Sequence, residues 1–190
     1  MTSKMKIGAK TSLYPMPTVL VGANVDGKPN YLTAAYCGIV NYQPPMLALS
    51  LHKTHRTSLG IRENGTFSVN LPSTAMVKVT DYVGSVSGNE EDKSNLFENF
   101  YGDLGTAPMI AECPLNLECK LAQTLNLGGT NELFVGEIVE TYTREEFLTN
   151  GLPDIQKLDP IIFSIHDNHY WKLGNCLGLA WSIGKDFKRK

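Results

Sequence analysis

Between Leu32 and Pro72 the chain reads LTAAYCGIVNYQPPMLALSLHKTHRTSLGIRENGTFSVNLP. Within it, His52, Lys53, His55, Arg56 and Thr57 crowd two imidazoles, two cations and a hydroxyl into one short run. The run follows directly on the apolar stretch Met46–Leu51 and leads into helix-forming residues, so it falls where a strand gives way to a helix. The first N–H groups of a helix lack intrahelical partners, and the helix dipole adds positive charge there. The chemistry this arrangement supports is capture of an anion, most simply the phosphate of a ligand. The competing reading is a solvated helix face.

The 190 residues suit a single domain spanning 1–190 with a core of its own, and a hydrophobic content of 42% is ordinary for a globular chain. A net charge of −2 gives no general attraction to nucleic acid, and the one basic run, KDFKRK at 185–190, reads as a solvated end. No stretch approaches the roughly 20 apolar residues of a membrane helix, and MTSKMKIGAK lacks the apolar core of a signal peptide. The expectation is a cytoplasmic protein without membrane partners. Cys37, Cys113, Cys119 and Cys176 form no CxxC pair, His166 and His169 flank a turn, and no metal site is expected.

The elements that position the cationic run follow from periodicity. Pro17–Asn24 is β-branched and apolar, and Asp26-Gly27 turns it into a return strand over Tyr31–Asn41. After the Pro44-Pro45 turn, Met46–Leu51 is apolar on both parities, which predicts burial on both faces. Thr54–Asn64 predicts a short helix with Leu59 and Ile61 inward and Gly65 at its end. Thr66–Asn70 alternates as a strand. Ser73–Val83 predicts a helix capped by Ser73, and SVSGNEEDKSN a polar loop. Leu96–Tyr101 reads as a helical turn. Leu115–Leu127 and Glu132–Tyr142 form long strands around Gly128–Asn131, and Ile161–Ile165 with Tyr170–Leu173 a last hairpin. Gly174–Gly184 gives no clear pattern. Many antiparallel strands with few helices favour a closed or split barrel over a doubly wound sheet.

The order of these pieces resembles the flavin reductase-like family, its flavoredoxin and ferric-reductase-like branch in particular. The resemblance rests on YPMPTVLVGA, GKPNYLTAAYCGIVNYQPPMLALSL, HRTSLGIRENGTFSVNLPS, DYVGSVSGNEEDK, LFVGEIV and HYWKLG, spread over residues 12–174. It implies a mainly β fold, a six-stranded antiparallel Greek-key split barrel with a few peripheral α-helices. It also implies an FMN cofactor and a homodimer with each FMN near the interface.

Set against that implied cofactor, Arg56 and Thr57, with Lys53, suit the phosphate, because an Arg fork binds two oxygens at once. Thr33, Ala34, Ala35, Tyr36 and Cys37 suit the ring edge, since two adjacent alanines let a flat ring approach the backbone; plain strand packing is the alternative. Ser50, Leu51 and His52 end the neighbouring strand and are expected to line the same pocket. Lys93, in SGNEEDK, is expected by resemblance to bring a cation from its loop. Asn131 stands where relatives often carry histidine, and it can hydrogen-bond but not carry a proton near neutrality. Tyr170 and Trp171 read either as a ring wall or as packing, and Cys37 as a redox thiol or a small buried apolar group.

The activity so implied is oxidoreduction, with electrons passing from NAD(P)H or a reduced partner protein through FMN to an acceptor. The alternatives are a flavoredoxin-type carrier and a non-redox FMN-binding module. The flavin would carry the chemistry, so no catalytic side chain is expected. No GxGxxG fingerprint is present, which leaves a nicotinamide to stack in an open pocket.

Overall fold

The computed structural model describes residues 3–185, 187 and 188; the basic end at 185–190 and the first two residues of MTSKMKIGAK lie partly outside them. In chain order the elements are β1 (Met16–Pro17), β2 (Val19–Val25), β3 (Lys28–Ala34), β4 (Cys37–Asn41), β5 (Met46–His52), α1 (Arg56–Asn64) and β6 (Thr66–Leu71). A 3₁₀ turn (Thr74–Met76) leads into α2 (Val77–Ser85), followed by β7 (Asn99–Phe100), β8 (Met109–Ile110), β9 (Leu115–Leu125) and β10 (Asn131–Thr143). Beyond them lie β11 (Leu148–Thr149), β12 (Leu152–Pro153), α3 (Ile155–Leu158), β13 (Ile162–Ser164) and β14 (His169–Trp171).

One antiparallel sheet dominates, in the order β3-β2-β6-β9-β10-β5-β4. Its two edge strands, β3 and β4, are joined by Ala35 and Tyr36 alone. So short a link can bridge the two edges only if the sheet curls until they meet, which makes the sheet a barrel. The Ser50 N–H donates to the Tyr36 carbonyl at 2.9 Å and stitches the link to β5. The predicted return strand Tyr31–Asn41 is therefore two strands. It changes partner from β2 to β5 at Ala35-Tyr36, and this break splits the barrel. The fold is mainly β with few helices, as the resemblance implied.

Alternation fills the interior. Val19, Val21, Leu47, Leu49, Leu51, Phe67, Val69, Cys119 and Phe134 form the core, with Ile61 of α1 as its lid. On β5, Leu47, Leu49 and Leu51 are buried while Met46, Ala48 and Ser50 are half-buried, so one face points inward and the expectation of two buried faces is corrected. Leu59 is exposed, because residues two apart on a helix cannot share a face with Ile61. Gly65 ends α1 in the left-handed region and donates to the Ile61 carbonyl, as a helix C-terminus asks. Asp26 and Gly27 both take positive φ, which matches the twist of the β2–β3 hairpin. Helix α1 begins at Arg56, not Thr54. The Ser73 side chain makes no capping bond.

Leu96–Tyr101 is not a helical turn. Phe97 packs with Tyr31, and Asn99–Phe100 pairs with β8 as a short strand. Strand β1 pairs with β13, and β13 with β14, in a small sheet beside the barrel. Among the described residues, no helix is long and apolar enough to cross a membrane.

Candidate functional site

Strand β5 leaves the barrel at His52, and α1 starts only four residues later, so the cationic run is confined to a tight corner. Thr57 is buried and accepts from the Asn30 amide at 2.7 Å, which leaves its own hydroxyl hydrogen to donate. The Arg56 guanidinium is half-buried and reaches the Asp26 carboxylate at 2.6 Å through Nη2. Both side chains line a cleft of about 260 Å³, which the end of α2 at Gly84 and Ser85 and the loop from Val86 to Asn89 also line. A Cβ on Gly84 would stand 3.1 Å from that of Thr33, and one on Gly88 would stand 2.6 Å from Asn30 Oδ1. Glycine at both positions lets the end of α2 and the loop after it lie against β3 and shape the cleft.

Lys93 lines the same cleft but does not reach out as a loop cation. It is buried, and Nζ donates to the carbonyls of Val83 at 2.8 Å and Tyr31 at 3.2 Å. Burial pulls its pKa below the usual lysine value. The ammonium thus ties α2 to β3 at the base of the cleft.

A second cleft, of about 370 Å³, runs along the barrel split. Thr33, Ala34, Ala35 and Tyr36 form one side; Ser50, Leu51, His52 and Asn131 form the other. The Asn131 amide donates to Ser50 Oγ at 3.1 Å, and the two residues sit on the paired strands β10 and β5. The clefts meet at Leu32 and His55, which line both. The result is one channel, cationic at one end and bordered by small residues at the other.

The remaining expected site residues lie around this channel. Tyr170 lines an adjoining hollow, its hydroxyl 3.1 Å from Asp81; burial, then that hydrogen bond, pushes its pKa up to about 12. Trp171 stands exposed and takes no part in either cleft. Cys37 packs against the core and lines the groove beyond Tyr36; burial pushes its thiol up to about 11, which disfavours a reactive thiolate. Lys53 lies outside both clefts. Its Nζ is drawn to Asn126 Oδ1 at 2.9 Å and the Gly129 carbonyl at 2.7 Å, both in the turn between β9 and β10.

His55 belonged to the cationic run but was given no contact with the implied cofactor, and it lines both clefts where they meet. Its Nδ1 is buried without a hydrogen-bond partner among the described residues. A proton there would be an unsatisfied buried donor, so the favoured tautomer carries hydrogen on Nε2, the nitrogen left to face the channel. Burial, then the neighbouring His52 and Lys93, lowers its pKa and keeps the ring neutral near pH 7. Phe163 and Met16, also unforeseen, wall the second cleft because β13 and β1 pack beside it.

A barrel split at one strand, with a ligand-sized channel along the split, defines a split-barrel protein of the flavin reductase-like kind. The chain belongs to the flavin reductase like domain family, which residues 11–160 match. Flavoredoxin from Methanosarcina acetivorans is similar at 51% identity, with 97% of this chain and 98% of that chain covered and a TM-score of 0.94. Flavoredoxin of Desulfovibrio vulgaris (Miyazaki F) is 39% identical over 96% of this chain and 100% of that chain, with a TM-score of 0.89. FMN reductase (NADH) RutF of Pseudomonas syringae pv. syringae is 25% identical over 116 residues, which span 60% of this chain and 62% of that protein.

Proposed function

We propose that the channel holds FMN and that the protein is an FMN-dependent oxidoreductase. In this reading it passes electrons from NAD(P)H or a reduced partner to an acceptor. The observation that carries the reading is the continuity of the two clefts through Leu32 and His55. A phosphorylated flat cofactor needs a cationic end and a slot free of large side chains, and the channel offers both in that order.

Arg56, Thr57 and the first N–H groups of α1 would hold the phosphate. Lys93 would act from beneath, by fixing the cleft wall and adding positive potential. Ala34 and Ala35 would let the ring lie close to the backbone, while Ser50, His52 and Asn131 offer hydrogen bonds along its edge. Tyr36, 41% exposed, is free to lie over the ring. When bound, FMN supplies hydride acceptance and single-electron release. The protein's share is position and electrostatics, and a nicotinamide would enter through the open side of the second cleft.

A carrier role is the second reading, favoured by the likeness to two flavoredoxins. Anaerobic titration of the FMN-loaded protein with NADH and NADPH separates the two. Rapid loss of the flavin band near about 450 nm supports the reductase. Reduction by a reduced partner protein alone supports the carrier. Failure to take up FMN at all overturns both.

A further inference from the structure

The polar loop SGNEEDK, residues 87–93, carries three acidic side chains in succession, Glu90, Glu91 and Asp92. A loop so hydrophilic has little apolar area to bury, and local bonds hold its shape instead. The N–H groups of Glu90 and Glu91 both donate to the Ser87 carbonyl, at 3.0 and 2.9 Å, and that of Asn89 donates to Ser87 Oγ at 3.2 Å. The Asp92 carboxylate accepts from the Ser94 N–H at 2.9 Å and pairs with Lys28 Nζ at 3.3 Å, which ties the loop to the start of β3. A Cβ on Gly88 would meet both Asn30 and Arg56, so the loop lies directly against the corner where α1 begins. The backbone that carries the acids therefore has a fixed place beside Arg56.

That place is a hollow of about 210 Å³, continuous with the cationic cleft. Asn30, Arg56, Gly88, Asn89 and Lys93 line both. Thr57 lines the cleft and not the hollow, whereas Glu90, Glu91 and Asp92 line the hollow and not the cleft. The cations bordering the hollow are already engaged. Lys28 holds Asp92, Arg56 holds Asp26 at 2.6 Å, and buried Lys93 donates to two carbonyls. Glu90 and Glu91 are exposed and have no ion partner among the described residues. A ligand extended outward past Arg56 thus leaves cationic surroundings and meets two uncompensated carboxylates.

We infer that Glu90 and Glu91 set the choice of flavin: one ending in a single phosphate is accepted, and one extended by a second phosphate, a dinucleotide such as FAD, is repelled. The inference rests on the FMN reading above and names what limits that ligand at its phosphate end. A single phosphate held by Thr57, Arg56 and the first N–H groups of α1 occupies the cationic part of the path and stops short of the acids. A diphosphate puts its outer phosphate one P–O–P link further on, in the hollow and opposite the two carboxylates. Like charges at an exposed rim each cost a modest amount, so the outcome is a preference of several-fold that salt weakens.

The test is fluorescence titration of FMN, FAD and riboflavin into the full-length wild type and the double variant Glu90→Gln, Glu91→Gln. Glutamine keeps the shape of the wall and removes its charge, and both positions are exposed, so the barrel core is untouched. Affinity for FAD relative to FMN is expected to rise about three- to ten-fold in the variant at low salt, the scale of two exposed charge contacts. The gain is expected to shrink between ionic strengths of about 0.01 M and about 1 M. Riboflavin, with no phosphate, is expected to bind both proteins alike. The variant Glu90→Lys, Glu91→Lys is expected to move the FAD-to-FMN ratio further the same way. A ratio that neither variant moves, or a gain that salt leaves intact, overturns the inference, as does a wild type that binds FAD as tightly as FMN at low salt. In each of those cases FMN still binds and the cofactor reading stands. A wild type that takes up neither FMN nor riboflavin overturns that reading and this inference with it.

Discussion

Arg56 grips the Asp26 carboxylate through Nη2 at 2.6 Å, so the cation at the mouth of the first cleft is tethered by one corner and keeps its other N–H groups to offer. The pair is partly exposed, Asp26 more so than Arg56, and an ion pair of that kind contributes little to stability. Its consequence is orientation: the guanidinium is held over the cleft before any ligand arrives. Arg56→Ala is expected to weaken FMN binding by about 1.5–3 kcal/mol, the worth of a charged hydrogen bond. Riboflavin, which has no phosphate, is expected to lose little. Fluorescence titration of both ligands checks this, and equal losses for the two would place the phosphate elsewhere.

Lys93 has an opposite character, buried where Arg56 is accessible. Its two carbonyl partners, on Tyr31 and Val83, would be left unpaired by Lys93→Met. The expected loss is about 1–3 kcal/mol of folding stability, measured by urea denaturation. Because burial lowers the pKa of this lysine, the unfolded chain holds its proton to higher pH than the native one. The wild-type protein should therefore gain stability as pH climbs from the lowered native value toward 10.5, and the methionine variant should lack that increment. Identical pH profiles would show that the ammonium is better solvated than its burial indicates.

Much of this was legible in the sequence, and the failures share causes. Runs of apolar and β-branched residues placed β2, β5, β6, β9 and β10 to within a residue or two, although on β5 the same apolar content pointed to two buried faces where only one is buried. The break at Ala35-Tyr36 was invisible, since nothing local distinguishes a strand that changes partner from one that does not. Residue type located the cationic end of the channel at Arg56 and Thr57. It misjudged Lys53, whose flexible stem follows the carbonyls of a turn remote in sequence. It counted His55 in the cationic run without giving it a place along the ligand, because only the meeting of two clefts makes that position special. Short β7 was mistaken for a helical turn, as two residues of pairing leave no period to read.

Gly60 shows how closely α1 is seated on the barrel. A Cβ there would run into the Asn24 carbonyl oxygen and come within 2.8 Å of Val25 Cγ2. Alanine gains about 1 kcal/mol of helix propensity over glycine, but backbone in the way cannot rotate aside. Overpacking of this kind costs about 1–3 kcal/mol. Gly60→Ala is expected to destabilise the protein on balance, and to weaken FMN as well, because the displaced helix carries Arg56 and Thr57. A rise in melting temperature with unchanged FMN affinity would contradict both parts.

His55 offers a pH-dependent test of the seam between the clefts. Its native pKa lies below the ordinary 6.5, chiefly through burial, so the unfolded chain takes up this proton first as pH falls. Stability tied to the neutral ring is fully present above pH 6.5 and is lost as pH drops from there through the lowered native value. His55→Gln keeps a hydrogen-bonding side chain with nothing to titrate. Chemical denaturation of wild type and variant at pH 7.5 and 5.0 should show a smaller acid loss in the variant. Parallel losses would mean that the native ring takes up its proton as readily as the unfolded one, and that burial does not hold it neutral. The same variant reports on the ligand. A donor at the seam touches the chain between phosphate and ring, so FMN and riboflavin should both weaken while lumiflavin, which lacks that chain, should not.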